Sequence, residues 1–188
     1  MFMKNFKFYL LLAFFPLFLT SCSRLNSQEK MLLGKWYYAE NQDYEDEYST
    51  GTIYIEGTTH YKKDKSFKAE GKMNLVMEIE NEELYYSSTE TIKYTYSIVF
   101  TGTWKIKDGY LHEEYTNVII NLTDVKSSLD LSKKDMDELR EYAIEAIPEM
   151  KSEMLGESTD NKISVLTPLK CTIIDEEGTE ITYKRISE

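Results

Sequence analysis

The chain has 188 residues and carries 33 acidic side chains against 22 basic ones, for a formal net charge of −11. Such an acidic chain repels nucleic acid and anionic lipid headgroups, and no basic groove with interleaved aromatic residues is visible, so nucleic acid is set aside as a partner. The length after the N-terminal segment suits one domain with a core of its own.

Lys4 and Lys7 precede Phe8–Leu19, an apolar run too short to span a bilayer comfortably. This reads as a secretory signal peptide over residues 1–21. Leu19-Thr20-Ser21-Cys22 follows and resembles the bacterial lipobox, small residues ahead of an obligatory cysteine. The resemblance implies a cut between Ser21 and Cys22 and a thioether from Cys22 to diacylglycerol. The protein would then be lipid-anchored in the cell envelope, in the outer membrane of a Gram-negative bacterium, with the membrane as its partner through Cys22. An ordinary signal peptide with a chance cysteine, or an uncleaved anchor, is the alternative. Two or three acyl chains hold a protein stably where one does not. Cleavage removes two lysines and no acid, which moves the charge from −11 to −13. Ser23–Lys30 is polar and patternless, so residues 22–30 are expected to form a lipidated tether and residues 31–188 the domain.

Leu33–Ala39 is the first strand expected, and the acidic stretch Glu40–Ser49 a solvated loop. That loop lacks the oxygen spacing and glycine of a calcium site. Gly51–Glu56 and Thr58–Lys62 read as two short strands parted by Gly57. After a turn at 63–66, Phe67–Glu70 and Lys72–Glu80 read as strands parted by Gly71. Asn81-Glu82-Glu83 turns the chain, and Leu84–Tyr86 is a short strand or a lead into the next.

Thr91–Lys107 carries the strongest signal. Ile92, Tyr94, Tyr96, Ile98, Phe100, Trp104 and Ile106 share one parity, with Lys93 and Lys105 on the other. Such alternation belongs to a half-buried antiparallel strand, and the aromatic parity must face inward because the lysines cannot. Gly102 is expected to mark a bulge or bend, and a long bent strand suits a closed, curved sheet. Asp108-Gly109 is a tight hairpin signal that folds Tyr110–Leu122 back on this strand. Ser132–Gly156 places Met136, Leu139, Ala143, Ala146, Ile147, Met150 and Met154 on one helical face. Ser132 suits its N-cap and Gly156 its far end, while Pro148 predicts a kink or two shorter helices. The Met-rich stripe packs on the sheet or contacts a membrane or partner. Asn161–Leu166, Leu169–Ile174 and Thr179–Ile186 complete a mainly β chain: an antiparallel barrel of about 8–10 strands with one amphipathic helix inserted before the last strands.

Gly34-Lys35-Trp36 resembles the Gly-x-Trp signature on the first strand of lipocalins, and Arg185 on the last strand resembles the basic residue that packs across that tryptophan. With the lipobox, the chain resembles the lipocalin-like, calycin-like lipoproteins of Gram-negative bacteria. The resemblance implies that Trp36 and Arg185 close the narrow end of a barrel, an indole under a stacked guanidinium. It also implies a small apolar or amphipathic ligand.

His60 and His112 have no Cys or second His at ligand spacing, so no metal site is expected. His112 and Glu114 could form a surface pair. Cys171 has the parity of a buried core residue. No nucleophile elbow and no phosphate-cradling glycine loop is present, so no catalytic residue and no cofactor are expected. Two functions stay open. In a binding module Tyr94, Tyr96, Phe100 and Trp104 line a cup. In a structural or interaction lipoprotein they fill the interior, and the acidic loop or helix face meets another envelope protein. Interior volume discriminates between them.

Overall fold

The computed structural model describes residues 25–45, 50–81, 88–156 and 158–187. The signal peptide, Cys22 and Leu84–Tyr86 lie outside the described residues. The chain is mainly β. Strands β1 (Gly34–Glu45), β2 (Thr50–Tyr61), β3 (Ser66–Asn81), β4 (Ser88–Lys107) and β5 (Tyr110–Ser127) form an antiparallel meander. Strands β6 (Ser158–Leu166), β7 (Lys170–Ile174) and β8 (Glu180–Ser187) continue it, and β8 pairs with β1 so that eight strands close into a ring. Among the described residues no helix is long and apolar enough to cross a membrane.

The alternation in β4 does what its chemistry demands. Ile92, Tyr94, Tyr96, Ile98, Trp104 and Ile106 are each 2–5% exposed, whereas Lys105 faces solvent. The hairpin at Asp108-Gly109 has positive φ at both residues, 53° and 83°, as a primed two-residue turn requires. The register between β4 and β5 shifts at Thr101/Gly102 and again at Thr95/Tyr96. The extra residues sit on β5, not β4: Thr116 and Thr123, whose hydroxyls donate across to the carbonyls of Thr101 (3.1 Å) and Thr95 (2.9 Å). Each bulge is thus pinned by its own side chain.

Two expected breaks are absent. Gly57 and Gly71 lie inside β2 and β3, directly opposite one another. A Cβ on Gly57 would sit 2.6 Å from the Glu70 carbonyl oxygen, and one on Gly71 2.4 Å from that of Glu56. These glycines let two continuous strands approach closely; they do not interrupt them. The acidic stretch from Glu40 is likewise not a loop as far as Glu45. It extends β1, in register with Thr50–Ile55, and the ladder to β2 holds it although Asn41, Gln42 and Asp43 face water.

The tether expectation also fails for its second half. Ser27–Leu32 is a short helix, α1. Asn26 caps it reciprocally with Glu29: the Glu29 N–H donates to the Asn26 side chain at 2.8 Å, and the Asn26 N–H to the Glu29 carboxylate at 2.9 Å. Leu32 is 1% exposed and belongs to a core cluster with Trp36, Tyr61, Phe67, Trp104, Leu111, Cys171 and Ile173. Leu25 packs against the same cluster.

The helical segment is two shorter helices, α2 (Lys133–Glu145) and α3 (Ile147–Met154), one of the two outcomes expected from Pro148. Pro148 sits in the first turn of α3, where its missing N–H costs nothing. Ser132 caps α2 by accepting from the Asp135 N–H at 3.3 Å. Met136, Leu139, Ala143, Ile147, Met150 and Met154 pack on a second core cluster that holds Met73, Ile92, Tyr94, Tyr96, Ile98, Val118, Ile120 and Val125. The stripe thus packs on the sheet.

Candidate functional site

One end of the ring is sealed by side chains. Trp36 is fully buried, and its indole N–H donates to the Leu32 carbonyl at 2.6 Å. The Arg185 guanidinium carbon lies 4.2 Å from the Trp36 ring centroid, and its N–H groups donate to the carbonyls of Met31, Leu33 and Pro168. Helix α1 packs on the same end through Leu32. Glu29, 5% exposed, is paired with Lys65 and accepts from the Ile106 N–H at 3.2 Å. Burial pushes the Glu29 carboxyl up, but the bonds from Lys65, Asn26 and Ile106 and the Lys65 charge outweigh it, so the group ends lowered. The Trp104 N–H donates to the Ser66 carbonyl at 3.1 Å, with Tyr61 edge-on at 5.4 Å and the Lys65 ammonium 5.3 Å from its ring.

The four aromatic residues of the expected cup do not converge on one space. Trp104 belongs to the cluster at the sealed end, and Tyr94 and Tyr96 to the cluster under the helices. The Tyr96 hydroxyl reaches the Ala143 carbonyl only at 3.5 Å, too long for a strong bond. Phe100 lies between the clusters and touches both. It alone of the four lines a cavity of about 700 Å³.

This cavity opens where the wall is low, because β6, β7 and β8 have 9, 5 and 8 residues against 20 in β4. Ile55, Phe100, Tyr115 and Met154 make an apolar wall. Gln42, Thr159 and Asn161 make a polar one, and Asp160, Asp175, Glu176 and Glu177 stand around it. The Thr159 hydroxyl is buried and has no hydrogen-bond partner among the described residues. An unmet buried hydroxyl costs stability.

Behind the polar wall lies a residue that the sequence reading passed over. Glu113 is directly opposite Thr159 in the β5–β6 register and only 5% exposed. Its carboxylate accepts from the Tyr61 hydroxyl at 2.9 Å. Burial pushes its carboxyl up to about 7, against a smaller lowering by the Tyr61 bond. The groups around it shift in the same sense. Burial, then the Glu113 charge, raises Tyr61 and Tyr183 well above the ordinary phenol value and pushes the Cys171 thiol up to about 12. Tyr38, whose ring is 5.4 Å from that of Tyr183, is pushed up to about 12 by burial and then by Glu113 and Glu40. Glu40 is itself raised by burial and then by Asp175. The arrangement is a buried carboxyl that holds its proton near neutrality inside a shell of protonated phenols. It can exchange hydrogen bonds or balance one positive charge. Cys171, 1% exposed and held as a thiol, is no nucleophile. A parity count would have found Glu113: Leu111, Glu113 and Tyr115 are alternate residues of one strand, so an inward Leu111 puts Glu113 inside.

His112 pairs with Asp160 across the β5–β6 ladder and not with Glu114, because the cross-strand neighbour is nearer than the residue two along. His60 is lowered by burial and then by Lys35 and Lys62. Among the described residues no three His, Cys, Asp or Glu side chains come together to hold a metal ion. No family model matches the sequence, and no curated protein is similar enough to count as a relative.

Proposed function

We propose that the protein is a lipid-anchored binding module of the bacterial cell envelope, a lipocalin-like barrel that holds a small amphipathic molecule and performs no catalysis. The observation that carries this reading is the cavity of about 700 Å³, which joins an apolar wall at Ile55, Phe100 and Met154 to a polar one at Gln42, Ser158 and Asn161. A space of this size suits a small ligand, and a mixed lining suits one with a distinct polar end. That end would meet the polar wall beside Gln42, with positive charge favoured by Asp160, Asp175, Glu176 and Glu177 alongside. The stacking of Arg185 on Trp36 and the sequential ring of eight strands support the barrel type. The Leu19–Cys22 motif supports the anchor.

The burial of Tyr94, Tyr96 and Trp104 in side-chain contacts favours a second reading, a structural lipoprotein with a largely filled interior. Native mass spectrometry of protein taken from its own envelope separates the two. A bound small molecule is expected, lost when Thr159→Trp fills the cavity while the fold is kept by circular dichroism. A wild-type spectrum with the bare protein mass alone, whatever envelope lipids are present, overturns the binding module.

A further inference from the structure

The net charge of −11 conceals a division between the two ends of the ring. The sealed end is made of the starts of β1, β3, β5 and β7 and the ends of β2, β4, β6 and β8. Exposed there are Lys35, Lys62, Lys63, Lys107, Lys170 and Lys184, against the exposed acids Asp64 and Asp108; Glu29 is buried and already paired. At the opposite end the β7–β8 turn carries Asp175, Glu176 and Glu177 and no base, whereas where β5 runs out Asp124 is paired with Lys126 and Asp130 is followed by Lys133 and Lys134. Charge was therefore a fair guide to the whole chain and a wrong one to this face. The same end exposes large apolar side chains. Leu169 is 74% exposed, Ile186 55% and Val165 39%. Leu169, in the turn between β6 and β7, lies beside Ile186 near the end of β8, since the Arg185 N–H donates to the Leu169 carbonyl at 3.0 Å. Finally, the described residues begin here, with Leu25 packed at this end only three residues after Cys22 in sequence. Three residues reach at most about 11 Å.

We infer that the sealed end docks on an anionic lipid surface, with Leu169 and Ile186 at headgroup level and the lysines against the phosphates. This rests on the reading that Cys22 carries the anchor, because a short link holds this end against the bilayer and no other. Each basic residue near an anionic leaflet adds attraction that decays within a Debye length, so six of them act together only if this face lies flat on the surface. The acids beside the cavity then stand clear of the lipid, and the cavity stays open to solvent.

The test uses the full chain, processed in its host, purified from membranes and reconstituted into vesicles of phosphatidylcholine with or without phosphatidylglycerol. A fluorophore is placed on Leu169→Cys or, at the opposite end, on Asp130→Cys; Cys171 is buried and escapes labelling. Quenching by a lipid-borne quencher should be several-fold stronger at 169 than at 130, should require phosphatidylglycerol, and should weaken at about 0.5 M salt. Charge reversal at Lys63 and Lys170 should lower the fraction docked by about fivefold or more per residue. Equal quenching at the two positions, or equal quenching in neutral vesicles, overturns the docking. So does a label at 169 that responds to a DNA duplex and not to vesicles. Protein that leaves neutral vesicles denies the anchor instead. If it still binds the anionic ones through 169 the docking stands, and if it leaves both the docking falls too.

Discussion

The buried carboxyl of Glu113 makes stability depend on pH in a direction opposite to that of ordinary salt-bridged acids. Its folded value is about 7 against an ordinary 4.5. Below pH 4.5 the carboxyl is protonated in the folded and the unfolded chain alike, and nothing is lost. Between 4.5 and 7 the unfolded chain ionises while the folded one keeps its proton, so stability falls as pH rises. Above about 7 both are ionised, and the penalty is complete at about 3 kcal/mol. Glu113→Gln keeps the shape and the acceptor for Tyr61 and removes the titration. Urea unfolding followed by the fluorescence of the two buried tryptophans, at pH 4 and at pH 8, measures both proteins. The other acids titrate equally in each and cancel in the difference. The variant should gain about 3 kcal/mol on the wild type between these pH values. Parallel pH profiles would refute the reasoning, because they would mean that Glu113 ionises in the fold at no cost.

Trp36→Ala should cost about 3–5 kcal/mol and Arg185→Ala about 0.5–2, and a double-mutant cycle in urea should show coupling from their stacking; strict additivity would separate them. Gly102→Ala should destabilise by about 3 kcal/mol or more in the same assay, because its Cβ would lie 2.0 Å from the Glu114 carbonyl oxygen; a wild-type midpoint would deny that close approach. Cys22→Ala should leave unprocessed precursor and abolish labelling by a fatty-acid probe in cells, and undiminished labelling would remove the anchor.

How much could be read in advance depended on whether the cause was local. The inward face of β4 was legible because burial with period two shows in any strand that separates lysines from aromatic residues. The break at Pro148 was legible because a missing N–H acts within one turn. Gly57 and Gly71 were not, since a glycine that ends a strand and one that admits a neighbouring backbone look alike until the partner is known. Glu40–Glu45 needed its long-range ladder to β2 before its polar sequence could be a strand. Six residues, Ser27–Leu32, are too few to show helical periodicity, and their cap works through hydrogen bonds that composition does not display. The cavity was misplaced for a related reason. Parity tells which side of β4 faces inward but not how far along the ring the interior is already full, so Tyr94, Tyr96 and Trp104 were grouped with Phe100.

The ladders around the ring are very unequal. β3 and β4 are matched over sixteen residue pairs, whereas β8 meets β1 over three, from Lys35 to Tyr37. The first five strands are joined hairpin to hairpin, so their contacts form between chain neighbours. The last seam must bring together groups as far apart in sequence as Arg185 and Leu33, 152 residues. Loop-closure entropy of that kind is met late, after the meander has collapsed, and contacts made late are absent from the folding transition state. Losing the Arg185 bonds should therefore speed unfolding and leave the folding rate nearly unchanged. Amide hydrogens along Lys184–Ser187 should exchange with solvent well ahead of those in the middle of β3 and β4, which open only with the whole molecule.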